Sequence, residues 1–330
     1  MTHENKVEET QITWKVDDID VSATLTSPAG SGPFPAVIMV AGSGPTDRNW
    51  NSPLIPGTNG SAALFAQVLS SSNFVALRYD KRASGPAAQE NVKKLMGKIS
   101  MQGHLEELIG GVRLLAARQD VDPHHLFVLA NSEGCIHALN YQAQVTDLPF
   151  AGLILTGAPA RPVGIVGRSQ IASQLIGVPG GEEMLAAYDT AIEAFLAGRP
   201  VIVDENLPEG IRNLIMAVTS PINQPFSHEL WTLDPLAVLA KIKAPVLIVI
   251  GKKDLQSDWQ AEGKAFEEIA GKRDNITLAF PEKANHVLKY EPRPRSELSP
   301  IEVGNRYNAD DERLDPETVN LITSWMRAQL

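Results

Sequence analysis

The sequence predicts an α/β fold: a doubly wound, mostly parallel sheet with an N-terminal β-hairpin and an inserted helical cap. Three observations carry this expectation. Continuous apolar runs such as PAVIMVA at 35–41 and PVLIVIG at 245–251 read as strands buried on both faces. Segments with helical spacing stand between those runs, as crossover connections between parallel strands require. The alternation then stops between 161 and 239, where helical patterns stand alone.

The elements follow in chain order. Residues 7–14 and 21–26 alternate enough to be strands, and Asp17 and Asp18 between them mark a hairpin turn. After the run at 35–41 come a glycine-rich loop, a helix at 61–72 and a strand at 74–79. In 102–118, Leu105, Leu108, Ile109, Val112, Leu115 and Ala116 keep the spacing of an amphipathic helix. Strands follow at 126–130 and 151–156, and later at 245–251 and 276–280. Asp315 and Pro316 open a last helix running to 330, with proline at the first helical position. Within the interruption, helices are expected at 165–176, 182–196 and 209–218. The predicted organisation is a core of 1–160 and 240–330 with a helical cap at 161–239. Ordinary layer helices joined by loops are the alternative for that segment.

Composition sets bounds on function. A chain of 330 residues with 43% hydrophobic and 21% charged residues has the balance of a globular protein. A net charge of −10 argues against nucleic acid or an anionic membrane surface as partner. No apolar run approaches the length of a membrane span, so no membrane insertion is expected. The polar N-terminus and the single cysteine, Cys135, point to a cytoplasmic location without an internal disulfide. Nothing in the sequence specifies an oligomeric state.

The most informative string is Ala130-Asn131-Ser132-Glu133-Gly134-Cys135, which follows the strand at 126–130 and precedes a helical pattern. A serine on a sharp strand-to-helix turn, with glycine two residues on, is the arrangement of a nucleophile elbow. Such a turn exposes the hydroxyl and aims a helix N-terminus at it. A plain βα turn with a serine N-cap is the structural alternative. A serine hydroxyl is a weak nucleophile, so it needs a base, and the base needs an acid to orient it. In α/β sheets those partners belong at the carboxyl ends of strands. Asp254 follows the strand at 245–251, with Asp258 as the competing acid and possible start of the next helix. His286 is the one histidine in a loop after a late core strand; His137 reads as structural, and His228 lies where it can meet substrate from the cap.

The loop Ala41-Gly42-Ser43-Gly44-Pro45-Thr46-Asp47-Arg48 follows the first core strand. Its glycines allow main-chain N–H groups to turn inward, so the N–H groups of Ser43 and Glu133 are expected to form an oxyanion hole. A dinucleotide loop is the competing reading, but Asp47 stands where the third glycine belongs and would repel phosphate. No phosphate-loop, HExxH or CxxC motif occurs, so neither cofactor nor metal is expected.

Taken in order, the strings AGSGPTDRN, LRYDKR, ANSEG, GKKDLQ and ANHVLK resemble the α/β-hydrolase superfamily over residues 21–330, and within it bacterial carboxylesterase-like serine hydrolases with a GSGPxDR loop. The resemblance implies the α/β-hydrolase fold, Ser132 as nucleophile, His286 as base then acid, and Asp254 as orienting carboxylate. It implies a small-molecule ester as substrate, of small to medium size and uncharged. A peptidase, amidase or acyl thioesterase would use the same triad, and a ligand-binding receptor could use the same scaffold. The chain departs from the pattern at Ala41, Ala83 and Ala130. Asp47, Arg48, Arg78, Asp80 and Lys81 are expected to form bracing salt bridges. The Glu133 side chain is expected at the mouth of the site, where it would disfavour anionic substrates.

Overall fold

The structure, a computed structural model, describes residues 7–330; residues 1–6 of the polar N-terminal stretch lie outside it. Strands β1 (Glu8–Val16) and β2 (Ile19–Ser27) form the hairpin, antiparallel, with Val16 opposite Ile19. Asp17 turns the chain at φ 51°, a left-handed conformation that aspartate tolerates better than most residues. Next come β3 (Phe34–Val40), α1 (Ser61–Ser71), β4 (Val75–Tyr79), α2 (Ala88–Leu95), α3 (Met101–Ala116), β5 (Val121–Asn131), α4 (Glu133–Gln144) and β6 (Gly152–Thr156). Five helices follow without a strand: α5 (Val163–Leu175), α6 (Gly181–Leu196), α7 (Glu209–Thr219), α8 (Phe226–Thr232) and α9 (Pro235–Leu239). The chain closes with β7 (Val246–Val249), α10 (Trp259–Ala270), β8 (Ile276–Ala279), α11 (Pro300–Asn305) and α12 (Pro316–Arg327).

The strands make one eight-stranded sheet in the order β1-β2-β4-β3-β5-β6-β7-β8. From β4 to β8 every neighbouring pair is parallel; β1 and β2 add an antiparallel edge. Side chains alternate across the sheet as strand geometry demands. Ala36, Ile38 and Val40 of β3 pack with α3, α4 and α10 on one face, while Val37 and Met39 pack with α1 and α12 on the other. Two covered faces explain why the core strands read as unbroken apolar runs. A third cluster, holding Ile171, Tyr188, Ile192, Ile211 and Ile215, belongs to α5–α7 and forms apart from the sheet.

The topology also selects a place for chemistry. The chain leaves β3 for β4 on one side and returns to β5 on the other. Strand order therefore reverses between β3 and β5, and the crevice at their carboxyl ends is the preferred ligand position in such sheets. Several elements differ from the sequence reading, among them the short helices α8, α9 and α11, which it did not expect. Helix α2 escapes it because AQENVKKL buries only Asn91 and Leu95. Strand β5 begins at Val121, since its first turn pairs with Phe34 despite the exposed Pro123 and His124. Among the described residues, no helix is long and apolar enough to cross a membrane.

Candidate active site

Ser132 stands between the last residue of β5 and the first of α4, with φ 54° and ψ −124°. No side chain adopts that backbone without strain, about 1–3 kcal/mol, so its surroundings must impose it. They do so through hydrogen bonds on both sides: Ser132 N donates to Thr156 O at 2.8 Å, and Cys135 N donates to Ser132 O at 2.9 Å. Gly134 permits the crossing, because a Cβ there would lie 2.5 Å from Val40 O. Ala130 needs no such relief. It is fully buried, its methyl packs in the core cluster, and its carbonyl accepts from Thr156 Oγ1 at 2.9 Å. The position that departs from the two-glycine pattern is thus a core position.

Asp254 and His286 arrive on neighbouring loops. The loop after β7 crosses the one after β8 so closely that a Cβ on Gly251 would meet Ala284 O at 2.0 Å. Asp254 is fully buried, and its Oδ1 accepts from the amides of Gln256 and Ser257, each at 2.8 Å. Its Oδ2 accepts from His286 Nδ1 at 2.8 Å. A ring that donates through Nδ1 leaves Nε2 free to accept a proton. Asp258 is placed elsewhere: it caps α10, accepting from Gln260 N at 2.9 Å and Ala261 N at 3.0 Å, and pairs with Arg295 at 3.1 Å. The loop carrying His286 is tied to the elbow by Asn131 Nδ2, which donates to His286 O at 2.9 Å. Ser132 Oγ makes no hydrogen bond to His286 here; contacts of this kind often tighten only around substrate.

Gly157 is a residue that sequence reasoning missed. It follows β6 with φ +54°, and a Cβ there would lie 3.0 Å from the His286 ring. A glycine straight after a core strand at the site's edge was the available signal.

The two amides expected as oxyanion donors lie on either side of the elbow. Gly42 abuts the serine, since a Cβ on it would lie 3.1 Å from Ser132 Cβ. Neither Ser43 N nor Glu133 N donates to another group among the described residues. Glu133 itself corrects an expectation. Its side chain is buried rather than exposed at the mouth, and its carboxylate lies 2.8 Å from Lys81 Nζ and 3.2 Å from His137 Nε2. Burial pushes the carboxyl up, but the charge of Lys81 and the hydrogen bonds of His137 and Lys81 hold it well below the usual carboxylate range. Burial drives His137 down to about 4 against the pull of Glu133, so near neutral pH Lys81 is the cation in this group. The negative charge expected to repel anions is therefore compensated.

The other expected braces rearrange. Asp47 accepts from the amides of Asn49 and Asn51 at 2.8 and 2.9 Å, while Arg48 pairs with Asp80 at 2.6 Å instead. Arg78 pairs with Glu9 at 2.7 Å, and Arg82 with Glu107 at 2.5 Å.

Ser132, Ser43 and Glu133 open on a cavity of about 650 Å³, roofed by α5, α7 and α8. Of the apolar residues in 161–239, Val166, Leu214 and Trp231 are among those that line it. Ile171, Leu175 and Ile215 hold the helical cluster together, and Ile165, Ile176 and Met216 are exposed. His228 is exposed and packs near Phe195, so it does not reach the cavity. His104 does, with its ring 4.7 Å from that of Phe226 and its Nδ1 3.2 Å from Glu107. The loop at 290–311 stays outside the lining; its Tyr307 approaches His286 with ring centroids 6.4 Å apart.

No family model matches the chain. In sequence it is similar to Esterase EstD of Thermotoga maritima, 24% identical over 308 residues, 92% of this chain and 64% of that protein. It thus spans about two thirds of the length of that curated relative. In structure it is similar to the acylaminoacyl peptidase of Pyrococcus horikoshii, with TM-score 0.55 and 12% identity over 99% of this chain and 42% of that one. It is also similar to the dienelactone hydrolase of Anabaena variabilis, with TM-score 0.52 and 14% identity over 98% of each chain. The chain has the α/β-hydrolase fold. In this α/β-hydrolase fold, Ser132, Asp254 and His286 follow β5, β7 and β8 in the order characteristic of the fold.

Proposed function

We propose that the chain is a serine hydrolase that cleaves carboxylic esters, with small to medium uncharged esters as substrates. The observation that carries the reading is Ser132, held in a strained turn and facing a cavity, with the loop of the Asp254–His286 pair tied to the same elbow through Asn131. The similarity to a protein named an esterase supports the choice of bond. The predominance of apolar side chains around the cavity supports uncharged groups on either side of it.

The proposed mechanism is two-step acyl transfer. Ser132 Oγ attacks the ester carbonyl carbon while His286 Nε2 takes the hydroxyl proton. The carbonyl oxygen becomes an oxyanion held by the N–H groups of Ser43 and Glu133. The tetrahedral intermediate collapses, the C–O bond to the alcohol breaks, and His286 returns the proton to the leaving oxygen. Water then attacks the acyl-enzyme with His286 as base, and the carboxylic acid departs as Ser132 regains its proton. Asp254 keeps the ring in the tautomer that leaves Nε2 open and stabilises the imidazolium when it forms. Residues 161–239 act as a cap: their helices bring Val163, Val166, Leu214 and Trp231 over the serine.

The test is a panel of p-nitrophenyl esters, p-nitroanilides and acyl thioesters offered to wild type and Ser132→Ala. Esters turned over by the wild type and not by the variant support the reading. Turnover confined to anilides or thioesters moves the assignment to that bond. Binding without turnover would make the cavity a receptor site.

A further inference from the structure

Lys81 is more than a surface brace. It follows β4 and is 5% exposed, with its ammonium between the two loops that carry the oxyanion amides. Nζ donates to Gly42 O at 2.6 Å and to Glu133 Oε1 at 2.8 Å. These two acceptors are not arbitrary. Gly42 O belongs to the same planar trans peptide as Ser43 N–H, so the two point in opposite directions. A carbonyl drawn toward Lys81 turns the amide hydrogen the other way, and the close approach of Gly42 to Ser132 fixes where that is. Glu133 bears the second amide, and its carboxylate is the second acceptor. One ammonium therefore fastens both donors, from a loop that supplies neither.

There is an electrostatic counterpart. An acidic residue directly after the nucleophile places a buried carboxylate near the point where negative charge develops. Uncompensated, it would oppose the oxyanion. The Lys81 charge lies between that carboxylate and the Gly42 carbonyl, and a hydrogen bond on that carbonyl also polarises the peptide toward a stronger N–H donor.

We propose that Lys81 is a positioning residue for the oxyanion hole, setting the Gly42–Ser43 peptide and the Glu133 turn in the orientation the tetrahedral intermediate needs. The inference rests on the serine-hydrolase reading above. Its rival is that Lys81 only neutralises Glu133, and a double variant separates the two. In Lys81→Met/Glu133→Gln both charges are gone but the Gly42 carbonyl has lost its donor.

The expected result is a folded protein whose kcat for a p-nitrophenyl ester falls about 10²-fold with KM nearly unchanged. Affinity for a trifluoromethyl ketone, which forms a tetrahedral oxyanion adduct, falls in parallel. Glu133→Gln alone, which keeps Lys81 on Gly42, loses less than the double variant. Lys81→Gln/Glu133→Gln, which retains a donor at position 81, recovers part of the loss. Should the methionine variant fail to fold, the comparison of Lys81→Gln/Glu133→Gln with Lys81→Ala/Glu133→Gln reads the same quantity. Double variants with wild-type kcat and ketone affinity would reduce Lys81 to charge balance. A rise in KM at constant kcat would make it a substrate contact. Both outcomes overturn the proposal while leaving Ser132 turnover intact, whereas a wild type with no Ser132-dependent turnover removes the underlying reading.

Discussion

At the scale of single residues, the site depends on positions where a side chain is absent as much as on those where one is present. Gly157 shows this clearly. Alanine there is strained by φ +54° and brings a methyl to 3.0 Å from the His286 ring. Gly157→Ala is expected to lower kcat by about 10²-fold through displacement of the imidazole, while Tm falls only a few degrees. Kinetics and thermal unfolding on one preparation check the split. The acid is tested in the same way. Asp254→Asn replaces the acceptor of His286 Nδ1–H with a group that can present the wrong polarity, and kcat is expected to drop about 10⁴-fold. Asp258→Asn keeps an N-cap and is expected to leave kcat within about threefold. A larger loss at position 258 would reverse the assignment. Ser132, Asp254 and His286 stood out in the sequence because each follows an apolar strand, and the structure places each after a core strand. The partner of Glu133 did not stand out. Lys81 lies 52 residues earlier in the chain, and only the side-by-side placement of β4, β3 and β5 brings the two together.

At the scale of elements, helix α4 serves two purposes. Its N-terminus faces the cavity through Glu133, and one turn further on it carries a buried histidine that is expected to contribute to the protein's response to acid. His137 sits in the folded protein with its pKa lowered to about 4 by burial. Unfolded, it titrates near the ordinary histidine value of about 6.5. Below that value the unfolded chain binds a proton that the folded chain refuses, so stability falls as pH drops from about 6.5 towards 4. Between pH 7 and 5 this amounts to about 2 kcal/mol. Denaturant unfolding of wild type and His137→Gln at both pH values should show a smaller acid loss in the variant; equal losses would mean that His137 is not the titrating group. Elements were legible according to how strongly burial shaped them. Strands β3 and β7, covered on both faces, announced themselves, and Asp315 caps α12 as read, accepting from Thr318 N at 2.9 Å. Helix α2 is mostly solvated, and its apolar face is only Ala88, Val92 and Leu95, too short a stripe to stand out among its polar neighbours.

At the scale of the whole molecule, the sheet and the helical insertion divide the labour. On the proposed reading, the crevice between β3 and β5 supplies the reacting groups, and α5–α8 set the room left beside them. Trp231 is the largest of the cavity-lining side chains from those helices and is seated against Gly164 and Gly167, where added Cβ atoms would lie 2.4 and 3.8 Å from its ring. Trp231→Ala is expected to destabilise the protein by about 3 kcal/mol, as loss of a buried aromatic does. It should also raise kcat/KM for long acyl esters relative to short ones. A series of p-nitrophenyl esters of increasing acyl length reads that ratio; an unchanged ratio would place the acyl group elsewhere. The run of helices between β6 and β7 was legible as a break in strand alternation. Which of its apolar residues face the cavity was not, because helical spacing marks an apolar stripe without saying whether it meets another helix or open space.

The proposed chemistry stands on Ser132 as the nucleophile. Diethyl p-nitrophenyl phosphate phosphorylates an activated serine and stops there, so intact-mass and peptide mapping read the site directly. The expected result is a single diethylphosphoryl group on the peptide containing Ser132, loss of ester turnover in proportion to labelling, and no labelling of Ser132→Ala. Stoichiometric labelling at another residue, or ester turnover by Ser132→Ala at the wild-type rate, would contradict it.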